Sequence, residues 1–140
     1  MKISTKGRYA LRLMIDLATR GDGEFVALKD IAERQSISKK YLEQIVPLLN
    51  KAELLRANRG NQGGYALTRA PEQYTVGEIL RVTEGNMSPV ACLQYKDNCP
   101  RRAECTALPV WEGLNKVIVE YLDGITLRDI VDGSVKNDLI

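Results

Sequence analysis

The chain contains no histidine. That absence removes Ser-His-Asp and Cys-His catalysis and every histidine-ligated metal site in one step, and few enzyme mechanisms survive it, so catalysis is not expected. Cysteine is scarce: Cys92, Cys99 and Cys105 are the only three, and all fall in one short window. An odd number so placed argues against a structural disulfide framework and brings ligand or redox roles forward. A charge excess is missing too. Twenty Lys and Arg stand against eighteen Asp and Glu, a formal charge of +2, too little to indicate nucleic-acid binding by itself. No apolar run approaches membrane-spanning length. The N-terminus MKISTKGRYALRLMIDLATR has no uninterrupted apolar segment and no small-residue cleavage site, so a cytoplasmic protein with no membrane association is expected.

What is present suits one globular domain: 140 residues, 44% hydrophobic and 27% charged, enough to build a core. The charge is uneven. Residues 1–85 carry fourteen basic and ten acidic side chains, residues 86–140 six and eight, and the stretch 34–69 seven against two. A basic middle precedes a mildly acidic tail.

Helical spacing of Tyr9, Ala10, Leu13, Met14 and Leu17, opened by Ser4 or Thr5 and stopped by Gly21 and Gly23, predicts a first helix to about Arg20. Leu11 and Ile15 add a second apolar stripe, so burial on two sides is expected. Leu28, Ile31 and Ala32 mark a short second helix. Ser36-Ile37 is a brief turn before Ser38, a suitable N-cap for a third helix, with Ile37 and Leu42 at the hydrophobic-staple positions. This order reads as a helix-turn-helix. The third helix buries Leu42, Ile45 and Leu49 and leaves Lys39, Lys40, Tyr41, Glu43 and Gln44 near its exposed N-terminal end, the end with which recognition helices read bases. Pro47 predicts a kink, since an interior proline costs ~3 kcal/mol.

LLRANRGNQGGYAL then reads as a β-hairpin turning at its glycines, which after a helix-turn-helix makes a wing. Arg56 and Arg59 flank its tip. An arginine there suits a minor groove, and Asn61 and Gln62 are in reach of phosphates or base edges. Thr75 and Glu78 predict a capping box for a helix ending at Gly85. Residues 86–108 look loop-like and hold the cysteines. Pro109 suits the first turn of a long helix whose Val110, Trp111, Leu114, Val117, Ile118, Tyr121 and Leu122 form an apolar stripe fit to pair with a symmetry mate, closed by Gly124. The expected class is mainly α: a winged helix-turn-helix DNA-binding domain over 1–85 with a two-stranded wing, a cysteine-bearing loop over 86–108, and a dimerisation helix with C-terminal segment over 109–140.

The cysteine spacing contains no C-x-x-C pair, which disfavours a zinc finger or thioredoxin-like site. Three soft thiolates this far apart suit an iron-sulfur cluster better. Three free thiols, or a redox pair with one left over, remain open.

KISTKGRYA at 2–10, Tyr41-Leu42-Glu43-Gln44, Arg59-Gly60 with Gly63-Gly64-Tyr65, and the cysteine loop running to Trp111 together resemble the iron-sulfur cluster regulators, the IscR-type winged-helix transcription factors. The resemblance covers nearly the whole chain. It implies a homodimer on an imperfect palindromic operator, with Ser38, Lys40, Tyr41 and Glu43 on the recognition helix and Arg59 on the wing. It also implies a cluster, 2Fe-2S ahead of 4Fe-4S, on Cys92, Cys99 and Cys105, and a regulator, expected to repress, of iron-sulfur assembly or cysteine-supply genes. Two positions depart from it. Where the cluster-assembly regulators place a histidine this chain has Leu108, and where other branches place a carboxylate it has Arg8. Glu104, Asp97 and Glu112 are the local alternatives for a fourth ligand, beside a small exogenous one. The N-terminal stretch and VTEGNMSPV are also similar to the cysteine-metabolism (CymR-type) branch, which works without a cluster. That branch implies thiol oxidation or a partner enzyme such as cysteine synthase, with the terminus Asn137-Asp138-Leu139-Ile140 as the segment to be captured.

Overall fold

In the computed structural model the described residues are 1–20, 23–61, 63–95 and 99–137. Helix α1 (Thr5–Arg20) begins where the Ser4 hydroxyl accepts the Gly7 N–H at 3.0 Å, so Ser4 supplies the cap. The Glu84 carboxylate takes the Ser4 N–H and hydroxyl at 3.1 and 2.5 Å. It presses so closely on Gly7 that a Cβ there would collide with it.

Helix α2 (Leu28–Gln35) stops at Ser36, which adopts the left-handed conformation with φ 52°. Ile37 and Leu42 are both buried, as a staple requires, and Ser38 caps α3 (Lys39–Lys51) by accepting the Tyr41 N–H at 3.0 Å. Pro47 does not end α3, which continues to Lys51 with the proline exposed.

Strands β1 (Leu55–Asn58) and β2 (Gly64–Leu67) pair antiparallel in the register Leu55 to Leu67 through Asn58 to Gly64. Val26 adds a single bridge to Tyr65, with both hydrogen bonds at 2.9 Å. Gly64 packs against the Val26 carbonyl too tightly for any side chain. The wing is thereby tied to the segment leading into α2.

Tyr74 follows a 3-10 turn over Pro71–Gln73 and is fully buried. Its hydroxyl donates to the Leu54 carbonyl at 2.9 Å and accepts the Thr68 and Arg69 N–H groups. Helix α4 (Val76–Glu84) is capped by Thr75, but the expected capping box is only half formed. The Glu78 carboxylate goes to Arg69 at 2.6 and 3.0 Å, because a guanidinium fork is a stronger partner than one backbone N–H. A complete capping box occurs instead at Thr126 and Asp129, opening α7 (Leu127–Val131).

Between α4 and α7 lie the short α5 (Ala91–Gln94), a 3-10 turn (Arg102–Glu104) and α6 (Leu108–Asp123). Helix α6 starts one residue before Pro109 and closes at Gly124. The chain then returns to the core. The Val76 N–H meets the Ile125 carbonyl, the Leu127 N–H meets the Tyr74 carbonyl, and Leu127 is fully buried where α7 packs against α1 and the 3-10 turn over Pro71–Gln73. Among the described residues no helix is long and apolar enough to cross a membrane.

Candidate nucleic-acid interface

Helical periodicity divides α3 into stripes. Its core side is Leu42, Ile45, Val46 and Leu49, all buried. One flank faces the wing: Lys39, Glu43, Pro47 and Asn50 line a cleft of about 550 Å³ with Asn58, Arg59, Gly60 and Gly64 opposite, and Lys29 of α2 at its edge. The other flank meets α1, where the Tyr41 ring packs edge-on against Tyr9 at 5.3 Å. The outward line is Lys40, Gln44, Pro47 and Lys51, exposed throughout. Lys39 and Glu43 approach each other at 4.0 Å across one exposed turn, a contact worth ~0.3–0.5 kcal/mol.

The structure thus brings Lys39, Glu43 and Arg59 onto one cleft, keeps Lys40 and Gln44 on the outward line, uses Ser38 as a cap, and turns Tyr41 toward α1. Arg56 is held apart from this group. Its guanidinium donates to the Gly23 carbonyl at 3.0 Å and lies over the Phe25 ring at 4.9 Å, on the opposite flank of the wing from the cleft. Strand alternation is the reason, since Arg56 and Ala57 point to opposite faces. Gln62 lies outside the described residues.

Sequence reasoning did not find the network behind the turn. Asp16 of α1, 5% exposed, accepts from Arg34 at 2.8 and 3.1 Å and from Gln35 Nε2 at 3.1 Å. Arg12 Nε donates to Gln35 Oε1 at 3.3 Å, and its Nη2 to the Gln35 carbonyl. Burial pushes the Asp16 carboxyl up, but the hydrogen bonds from Arg34 and Gln35 and the Arg34 charge more than offset this and hold it below the ordinary carboxylate value. The same pairing raises Arg34. The signal was available: an aspartate between Leu13 and Leu17 on the apolar side of a helix needs a buried partner.

The cysteines are all half-buried free thiols. Their main chains converge on Arg102, whose N–H donates to the Cys99 carbonyl, whose carbonyl accepts the Cys105 N–H, and whose Nη1 donates to the Cys92 carbonyl at 2.7 Å. Among the described residues no three Cys, His, Asp or Glu side chains could hold one metal ion. Cys92 sits on α5 while Cys105 ends a separate 3-10 turn, which keeps the thiols on different turns of chain. Leu108 opens α6 and brings no donor, and Arg8 bonds Thr5. Neither Glu104 nor Glu112 completes a ligand set, and Asp97 lies outside the described residues.

Helix, turn, capped helix and a two-stranded wing define the winged helix-turn-helix class of DNA-binding fold. The chain belongs to the Rrf2 family, described as iron-dependent transcriptional regulators, which it matches over residues 3–133. It is 44% identical to the transcriptional regulator CymR of Bacillus subtilis, covering 93% of this chain and 89% of that one. The structure of CymR, the global cysteine regulator of B. subtilis, superposes with a TM-score of 0.79 at 40% identity, covering 95% of this chain and 98% of that chain. IscR of T. potens gives 0.76 at 40% identity, over 100% and 93%. The chain is a transcriptional regulator of this family, not an enzyme.

Proposed function

We propose that this chain is a homodimeric repressor that binds an imperfect palindromic operator and controls genes of cysteine supply without a cluster. The observation that carries DNA reading is the layout of α3: a polar outward line led by Lys40 and Gln44, flanked by a cleft whose far wall is the wing with Arg59. With α3 in the major groove, Arg59 enters the adjacent minor groove and Ser38, Lys39, Tyr41 and Glu43 take bases and phosphates near the helix start. Arg56 acts by bracing the wing base, and Gln62 extends the tip. Dimerisation is supported by α6, none of whose residues is buried, with Val110 61% and Val117 59% exposed. In a two-fold dimer the two recognition helices meet half-sites ~34–36 Å apart.

Selection from a randomised duplex pool tests this directly, and an inverted repeat is the expected product. Arg59→Ala should weaken the enriched duplex by ~1–3 kcal/mol and relax its specificity, whereas Lys39→Ala should weaken all duplexes alike and lower the salt slope. Failure to enrich any inverted repeat overturns the reading.

The cluster-free assignment rests on the similarity to CymR, with no group of donors fit to hold a metal ion among the described residues. A second reading, iron-sulfur sensing through Cys92, Cys99 and Cys105, draws on the similarity to IscR and on the presence of all three cysteines. Reconstitution under nitrogen separates the two. Equal iron and sulfide uptake by wild type and a triple Cys→Ala variant supports the cluster-free reading, and stoichiometric uptake by wild type alone replaces it with the second. Cysteine synthase is the partner to titrate under the first reading. The tail concerned lies beyond the described residues after Asn137, and deleting Ile140 should abolish the interaction.

A further inference from the structure

A helix ~10–12 Å across lying in a major groove ~12 Å wide has a phosphate wall on each side. On one flank of α3 Lys39 and the wing line the cleft described above. On the other flank lies α1, joined to α3 through the Tyr9 and Tyr41 rings. Residues 5, 8, 9 and 12 of α1 share one helical face by their spacing. Arg8 Nη2 is tethered to the Thr5 hydroxyl at 2.9 Å, and the Arg12 guanidinium lies 5.4 Å from the Tyr9 ring centre and bonds Gln35.

All of these tethers are neutral. Among the described residues Arg34, Arg69, Arg81 and Arg128 each pair with a carboxylate, while Arg8, Arg12 and Lys40 pair with none. Arg56 and Arg102 likewise bond only main-chain carbonyls, so what sets Arg8 and Arg12 apart is their place on α1 beside the recognition helix. Packed helices run 8–10 Å apart, and half the width of the major groove is ~6 Å, so long side chains of a helix beside α3 are within reach of a groove wall.

We propose that Arg8 and Arg12 of α1, with Lys40 at the start of α3, form a second phosphate-contact strip that takes the DNA backbone on the groove wall opposite the wing. The strip rests on the reading of α3 as the recognition helix. Guanidinium forks match pairs of phosphate oxygens, and the Thr5 tether holds Arg8 in place before binding. Gripped on both walls, α3 is fixed in depth and tilt, which the wing alone does not achieve.

The test measures wild type, Arg8→Ala and Arg8→Lys over a salt series, on the duplex enriched by wild type and on a random duplex of equal length. Arg8 is exposed and bonded to Thr5 alone, so the melting temperature of each variant, taken alongside, should match wild type. Arg8→Ala should weaken both duplexes by a common factor of ~3–10 and reduce the slope of log affinity against log salt by ~0.9. Arg8→Lys should keep the slope. Unchanged affinity and slope in Arg8→Ala overturn the strip, as does a loss confined to the enriched duplex. If wild type enriches no sequence yet binds random duplex with a slope that depends on Arg8, the operator reading fails and the strip stands.

Discussion

From Ala10 to Leu80 the described residues supply every buried apolar side chain of the core except Leu127, and from Arg81 to Thr126 they supply none. The first region closes on itself, with its staple, its caps and its buried Asp16 all partnered within the chain. The second has comparable apolar content in α6 and leaves it open, with Val110, Trp111, Leu114, Val117, Val119 and Tyr121 exposed. The contrast teaches that these regions answer to different partners. The winged region is complete for one chain, whereas α6 is an interface half that only a second surface can complete, since exposed apolar patches of this kind mark association sites.

The comparison breaks most sharply at Leu114. Leu114→Asp should yield monomers in sedimentation at micromolar concentration and abolish operator binding, with the winged region still folded by circular dichroism. A monomeric wild type would sink the interface reading. Next comes Leu127, which crosses the divide by returning from beyond α6 into the core. Leu127→Ala should cost ~2–5 kcal/mol in denaturant unfolding, and a cost near zero would show that α7 is dispensable to the core.

Asp16→Ala should cost ~1–3 kcal/mol, because it leaves the Arg34 and Gln35 donors without their acceptor. The sign with pH follows from the lowered carboxyl. The contribution is complete above the unfolded value of ~3.9 and is lost as pH falls through the folded value. The difference between wild type and variant should therefore be constant from pH 5 to 7 and shrink below about pH 4; a difference that persists into strong acid would contradict the pairing. The smallest effect belongs to the open region. Triple Cys→Ala should shift stability by no more than ~0.5 kcal/mol per site, as at positions away from a packed core, and a large loss would mean that the thiols hold the segment together.

Much of the winged region was legible before any coordinates. Ser38, the Ile37 and Leu42 staple, the wing glycines and the Thr75 cap are each written within a few residues of what they act on, and the chain adopts them. The half-formed capping box marks the limit. Glu78 has the right spacing for the Thr75 N–H, yet Arg69, nine residues away, takes its carboxylate. Arg56 shows the same limit, since flanking the wing tip in sequence says nothing about the Phe25 ring that holds it.

The sequence by itself determined the helix starts, the turn, the hairpin, the apolar stripe of α6 and the resemblance to a regulator family, because all of these are encoded by hydrogen-bonding and periodicity over a few neighbouring residues. Only the tertiary structure decided that Asp16 joins Arg34 and Gln35, that Arg81 joins Asp123 across 42 residues at 2.6 Å, that Tyr9 meets Tyr41, and that the main chains of the three cysteines meet at Arg102. Those outcomes depend on how whole elements pack against one another. A side chain chooses the strongest partner that packing brings within reach, and no local pattern records which partner that is.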